Sequence, residues 1–286
     1  IIVVLCVSYL LSAPLKELKD FGNNPGKLRM FIHFPTNAKA QEKLPLVLSL
    51  HGSWLSAKAL SNSCGINKLA DSLGFIVCYP DQPLRNNLLT AFAFYDPKKM
   101  KKDQGETASV KEMIDYCITH YSIDEDKIFI WGFSAGAAMT NVMLNAYPNI
   151  FAAGAMVAPP SQLHEGINPN NEHKPRTAII QGSKDPTVAP HHAKKVHDQW
   201  EKFLEFSPED RMLEKNYRGF SELQLTHYKN DPYNFLVKLD ILGMKHRLPV
   251  NPGEHIDQGG QKCIYTVDFD FHLTYWLCEF FGLTKG

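Results

Sequence analysis

The segment Lys127-Ile-Phe-Ile-Trp-Gly-Phe-Ser-Ala-Gly-Ala-Ala-Met-Thr140 leaves the chain few ways to fold. Ile128 to Trp131 is a short apolar run of buried-strand type, and a helical pattern of small and apolar residues starts near Ala135. Between them lies Gly132-Phe133-Ser134-Ala135-Gly136, a G-x-S-x-G pattern. A strand that turns abruptly into a helix puts the serine at a strained corner, with its hydroxyl pointing out of the backbone. The flanking glycines and Ala137-Ala138 carry almost no side chain, so the helix packs close over the strand. The helix N-terminus aims free N–H groups at any negative charge that develops there. G-x-S-x-G alone recurs by chance in apolar helices. The strand-turn-helix setting separates a nucleophile elbow from a plain tight turn.

Read outward from this elbow, the chain alternates strands and helices. Leu28 to Phe34 alternates like an early, partly exposed strand, and a polar loop follows from Pro35. Leu46 to His51 reads as a central strand running into Gly52-Ser53-Trp54. Ala57 to Leu73 has helical spacing and ends at Gly74, which suits a C-cap. Phe75 to Tyr79 is the next strand, stopped by Pro80. Asp81 to Met100 has no clear period, holds Phe92, Phe94 and Tyr95, and is long enough to be expected at the mouth of a site. Glu106 to Tyr121 is an amphipathic helix leading back into the elbow strand. Phe151 to Val157 and Thr177 to Gln181 are core strands, with an Asn/Pro-rich excursion from Gly166 to Arg176 between them. Pro190 to Phe206 is a helix, Leu223 to Tyr228 and Phe235 to Ile241 are late strands, and Phe269 to Phe281 is a closing helix. Such alternation predicts a mostly parallel sheet covered on both faces, an α/β fold in one domain spanning 14–286.

Lys+Arg and Asp+Glu are equal at 30 each, so no basic surplus points to nucleic acid. Ile1 to Ala13 is apolar but too short to span a bilayer, and the chain turns polar directly after Pro14. The segment reads as the h-region of a signal peptide, or else as a buried first strand; the first reading predicts a secreted or periplasmic protein with no membrane insertion of the mature chain. With Cys6 in that segment, five cysteines remain, and an odd count forbids a fully paired set. Cys78 and Cys117 fall in apolar patterns suited to buried free thiols, while Cys263 and Cys278 are candidates for a disulfide.

A serine hydroxyl becomes a nucleophile when a base takes its proton, and the base needs an acid to fix its tautomer. In an α/β-hydrolase these residues follow the order Ser, Asp or Glu, His. After Ser134 the best acid is Asp185 in Gln181-Gly-Ser-Lys-Asp-Pro-Thr-Val188, just past the end of an apolar strand. Asp231 and Asp240 compete, the latter inside a strand pattern. The best base is His246, directly after what reads as the last strand, with His255 in a Gly/Pro loop as its rival. Oxyanion donors are expected from the N–H groups of Ala135 and of Ser53, with Trp54 second to Ser53. His51 reads as structural, since its turn needs the backbone. Trp54, Phe92, Phe94, Tyr95 and Phe133 are the expected substrate-lining residues. His191, His192 and His197 lack metal-site spacing, no phosphate-cradling loop occurs, and this chemistry calls for no cofactor.

The ordered motifs together resemble the polyhydroxybutyrate depolymerase-type esterases, α/β-hydrolases related to feruloyl and acetylxylan esterases. The resemblance runs from Leu44 to Leu283. It rests on Leu44 to Gly52, Leu69 to Asp81, Gln104 to Ser109, Gly132 to Thr140, Gln181 to Asp185, Gly243 to His246 and Phe280 to Leu283. It implies an ester hydrolase with Ser134, Asp185 and His246 as its triad, acting on hydroxyalkanoate oligomers or small esters, with feruloyl or acetylxylan esters as the alternative. An acyltransferase, or a catalytically silent binding module, would use the same fold. Three positions depart from the family: Ser53 stands where Cys is common, Lys245 where Gly is common, and Ala93 where Trp is frequent. Ser53 leaves the backbone donor intact, whereas Lys245 adds a charge beside the base.

Overall fold

The computed structural model describes residues 15–36, 43–96, 98–161 and 173–284. The apolar segment Ile1–Ala13, most of the polar loop after Pro35 and most of the Gly166–Arg176 excursion lie outside them.

The strands are β1 (Lys16–Leu18), β2 (Arg29–His33), β3 (Leu44–Leu50), β4 (Ile76–Asp81), β5 (Ile123–Phe133), β6 (Ala153–Val157), β7 (Arg176–Gly182), β8 (Arg211–Lys215), β9 (Leu223–Tyr228), β10 (Leu236–Ile241), β11 (Leu248–Val250) and β12 (Thr266–Asp268). The helices are α1 (Ala57–Cys64), α2 (Ile66–Leu73), α3 (Gly105–His120), α4 (Ala135–Ala146), α5 (Pro190–Leu204) and α6 (Leu273–Phe281). Ten strands form one sheet in the order β1-β2-β4-β3-β5-β6-β7-β10-β9-β8, and β11 pairs with β12 separately. The run from β4 to β10 is parallel. Antiparallel strands flank it on both sides.

A parallel strand buried on both faces sends alternate side chains into two cores. In β5, Phe129, Trp131 and Phe133 join the core under α1, α2 and α6, while Ile128 and Ile130 join the core under α3, α4 and α5. The buried indole N–H of Trp131 is satisfied by Ser49 Oγ at 2.7 Å on the neighbouring strand.

Several boundaries depart from the sequence reading. The expected single helix from Ala57 to Leu73 is two, because the chain breaks at Gly65. Gly65 has φ 80°, and a Cβ there would lie 2.5 Å from the Gly260 nitrogen and 2.6 Å from His272 Nε2. Pro80 does not stop β4, which continues to Asp81 in antiparallel pairing with β2. The closing helix starts at Leu273 rather than Phe269, and two short strands follow His246, so β10 is not the last strand. Cys64, Cys78, Cys117, Cys263 and Cys278 are all free thiols, so the Cys263–Cys278 disulfide does not form.

Candidate active site

The parallel strands deliver their C-terminal ends to one rim, where open α/β sheets gather ligands. Ser53 follows β3, Ser134 follows β5, Asp185 follows β7 and His246 follows β10.

Ser134 stands between β5 and α4 at φ 55° and ψ −118°, a conformation that L-residues rarely adopt. Its N–H donates to the Val157 carbonyl at 2.9 Å, which anchors the corner to β6. The turn needs its glycines for close approach. A Cβ on Gly132 would lie 2.3 Å from the Gly136 backbone, and one on Gly136 would lie 2.3 Å from the Leu50 carbonyl oxygen.

His246 bridges the other two side chains. Its Nε2 lies 3.0 Å from Ser134 Oγ, and its Nδ1 lies 2.7 Å from Asp185 Oδ2. An ionised Asp185 only accepts, so Nδ1 carries the proton and Nε2 faces the hydroxyl as an acceptor. The Phe133 ring supports the imidazole from one side, with centroids 4.8 Å apart. Asp185 is buried, and its Oδ1 accepts from the N–H groups of Thr187 and Val188, each at 2.8 Å. Burial by itself pushes this carboxyl up, but the hydrogen bonds from His246, Val188 and Thr187 outweigh it and hold the group below the usual carboxylate range.

The acid and base loops are laced together. Ser183 N–H donates to the Ile241 carbonyl at 3.0 Å, Lys184 N–H to the Met244 carbonyl at 3.0 Å, and Gly243 N–H to Ser183 Oγ at 2.9 Å. A Cβ on Gly182 would strike the Met244 carbonyl oxygen at 2.5 Å, so the glycine lets the loops approach. The rivals lie elsewhere. Asp231 Oδ2 accepts from the Leu236 N–H at 3.2 Å, Asp240 pairs with Lys238, and the His255 carbonyl accepts from Lys68 at 2.9 Å.

Among the described residues, the N–H groups of Ser53 and Ala135 donate to no protein atom; Ala135 follows Ser134 directly, and a Cβ on Gly52, next to Ser53, would lie 3.2 Å from Ser134 Cβ. The N–H of Trp54 is already committed to the Leu89 carbonyl at 2.7 Å. The geometry therefore favours Ser53 over Trp54 as a free donor. His51 is buried, donates from Nδ1 to the Gly52 carbonyl at 2.8 Å, and accepts at Nε2 from the Gln82 N–H at 3.1 Å. Burial holds its pKa down, against the pull of Asp81. A neutral ring thus braces the turn that carries the Ser53 N–H.

The expected lining residues divide. Trp54 and Tyr95 are exposed at the rim, and Phe94 is half-buried with its ring edge-on to Tyr95. Phe92 is a core residue packed against the His51 ring, with centroids 5.0 Å apart, and does not reach the mouth. Phe133 is also buried, beneath His246 rather than in an open wall. An aperiodic loop gives no sign of which aromatics turn inward. Sequence reasoning also missed the buried Glu106, which accepts from Gln82 Nε2 at 2.6 Å and from the Ala93 N–H at 2.7 Å. Its signals are a carboxylate on the first turn of a helix, an ordinary position, and membership of the Gln104 to Ser109 motif, neither of which marks it as a brace for the Gln82–Ala93 loop.

A nucleophile elbow on a mostly parallel sheet, with an imidazole and a carboxylate arriving from later strand ends, defines an α/β-hydrolase of the esterase type. The sequence signature described as "Esterase PHB depolymerase" matches residues 28–200, and the chain belongs to that family. It is 30% identical to "Poly(3-hydroxyalkanoate) depolymerase C" of Paucimonas lemoignei, across 98% of this chain and 73% of the relative. It is 34% identical to "Feruloyl esterase B" of Talaromyces funiculosus across 51% of this chain, which spans only 40% of that enzyme. The fold superposes on the acetyl xylan esterase of Aspergillus awamori with a TM-score of 0.77 at 22% identity, covering 95% of this chain and 100% of that one.

Proposed function

We propose that the protein is a serine carboxylic-ester hydrolase that works through an acyl-enzyme on Ser134. One observation carries the reading: a single imidazole, that of His246, lies within hydrogen-bond reach of both the Ser134 hydroxyl and the Asp185 carboxylate. As Ser134 Oγ attacks the ester carbonyl, His246 Nε2 takes its proton. The N–H groups of Ala135 and Ser53 hold the oxyanion, and His246 then passes the proton to the leaving alkoxide. Asp185, kept ionised by its donors, stabilises the imidazolium and fixes the Nδ1–H tautomer. Water, activated by the same imidazole, releases the acid. No cofactor enters this scheme.

Hydroxyalkanoate oligomers or similar small esters are the proposed substrates, acted on outside the cytoplasm, in a secreted or periplasmic setting. The likeness that runs nearly the whole chain is to an enzyme named for poly(3-hydroxyalkanoate), whereas the feruloyl esterase likeness covers half of it. The apolar Ile1–Ala13 stretch supports the compartment. No helix among the described residues is long and apolar enough to cross a membrane.

The test is Ser134→Ala. The variant folds as the parent does and loses ester turnover by on the order of 10⁴-fold or more. Turnover within tenfold of the parent, in protein free of parent enzyme, would remove Ser134 from the mechanism.

A further inference from the structure

At the end of the sheet away from Ser134, the chain encloses a second concavity. Arg176 opens β7 and Val237 lies at the start of β10, and both line it. The cavity therefore sits at the feet of the two strands whose other ends lead to Asp185 and His246. The length of β7 puts roughly 20 Å between the two ends. The cavity measures about 140 Å³ and is walled by Tyr217, Trp276 and Phe280, with Leu225 and Val237 from the sheet. Its charged lining is Arg176, Arg218 and Glu279.

The two arginines are used differently. Arg218 Nη1 donates to Glu279 Oε2 at 2.5 Å, so its charge is matched. The Arg176 guanidinium lies over the Phe280 ring, 4.6 Å from the centroid, and Phe280 stacks in turn on Trp276 with centroids 5.8 Å apart. An aromatic face attracts a guanidinium but takes none of its N–H donors, which lie in the guanidinium's own plane. Among the described residues, Arg176 Nε is buried with no hydrogen-bond partner. Burial draws the pKa of Arg176 down, against the pull of Asp231, whose Oδ2 already accepts from the Leu236 N–H at 3.2 Å. A buried donor without an acceptor costs free energy that an incoming acceptor recovers.

We propose that this cavity binds a small monocarboxylate, its head on the open edge of Arg176 and its short apolar tail against Trp276, Leu225 and Val237. A guanidinium offers two parallel N–H donors to the two oxygens of a carboxylate. The size of the cavity limits the tail to a few carbons. A dianion such as phosphate fits worse. Arg218 is spent on Glu279, Asp231 acts on the same guanidinium, and one open cation leaves a second negative charge unmatched. A ligand held here joins α6 to the feet of β7 and β10 and stabilises the fold by mass action. The site does not depend on what Ser134 does.

The experiment titrates the full chain with sodium butyrate and, at matched ionic strength, with sodium phosphate, following melting temperature and tryptophan fluorescence. Butyrate is expected to bind saturably, with a Kd on the order of millimolar. At about ten times that Kd it is expected to raise the melting temperature by about 2–5 °C. It is also expected to change an emission that Trp276→Phe removes, while phosphate does neither. Arg176→Gln is expected to fold, as circular dichroism reads, and to weaken butyrate binding about tenfold or more. Arg176→Lys keeps the charge without the planar fork and carries the test if Arg176→Gln does not fold, with an expected loss of about threefold or more. Butyrate affinity unchanged in the folded Arg176 variants would overturn the proposal, since the acid would then be held elsewhere. So would phosphate binding as tightly as butyrate, or no saturable response to butyrate in either readout.

Discussion

Ser134 occupies a backbone conformation that costs about 1–3 kcal/mol for a residue with a side chain, and the packing of α4 over β5 sustains it. The return on that strain is an Oγ that meets the imidazole of His246 from the end of a rigid strand. His246 and His255, nine positions apart, show how placement decides a role for one residue type. His246 is held by Asp185 on one side and the Phe133 ring on the other. His255 is exposed, and its carbonyl serves as an acceptor for Lys68. His246→Ala is accordingly expected to lower kcat by on the order of 10⁴-fold, while His255→Ala stays near the parent rate. Comparable losses in both variants, measured on a soluble ester at neutral pH, would show that the base is not the residue at the strand end. The order Ser, Asp, His was legible in the chain because each residue follows an apolar strand pattern. The burial of Phe92 was not, because an aperiodic loop carries no record of which side chains face inward.

At the scale of elements, the sheet and its two cores could be read from periodicity, and β9 has the bounds its alternating pattern predicts. What escaped the sequence was set by contacts between distant segments. The break between α1 and α2 exists because Gly65 meets Gly260 and His272, some two hundred positions later. The edge strand β8 went unread because its side chains are nearly all exposed, and Met212 and Leu213 stand side by side with no alternation to mark a strand. The elbow itself depends on one close approach, that of α4 to the end of β3. Gly136→Ala would drive a methyl group to 2.3 Å from the Leu50 carbonyl oxygen and 2.6 Å from that of His51. Backbone cannot swing aside as a side chain can. The substitution is expected to destabilise the fold by roughly 1–3 kcal/mol in urea unfolding and to lower kcat by displacing the Ser53 donor. Unchanged stability and rate would mean that the turn is looser than its geometry implies.

For the whole molecule, two buried imidazoles that bond neither Ser134 nor Asp185 couple stability to pH. Burial lowers the pKa of His197 and of His272 from 6.5 to about 4 in each case. His197 faces Tyr228 and lies near Arg211, Lys238, Glu201 and Asp198, while His272 bonds the Cys64 carbonyl. Because each folded-state pKa lies below the unfolded one, the unfolded chain takes up protons first as pH falls. The stability is fully present above about pH 6.5 and drains away between there and about pH 4, by on the order of a few kcal/mol in total. Urea midpoints at pH 7 and pH 5 are expected to differ accordingly, with the difference reduced in His197→Asn and His272→Asn. An equal acid loss in those variants would place its origin in other groups. Asp185, held below the usual carboxylate range, remains the acceptor for His246 Nδ1 while the fold weakens around it.

Turnover through an acyl-enzyme would place a covalent bond between an acyl group and Ser134. Mixing the enzyme with a rapidly cleaved aryl ester, quenching in acid within the first turnovers and measuring intact and peptide masses tests it directly. One added acyl group is expected, on the peptide that contains Ser134, and none in Ser134→Ala. Full hydrolysis with no adduct at any time, or an adduct on another residue, would contradict it.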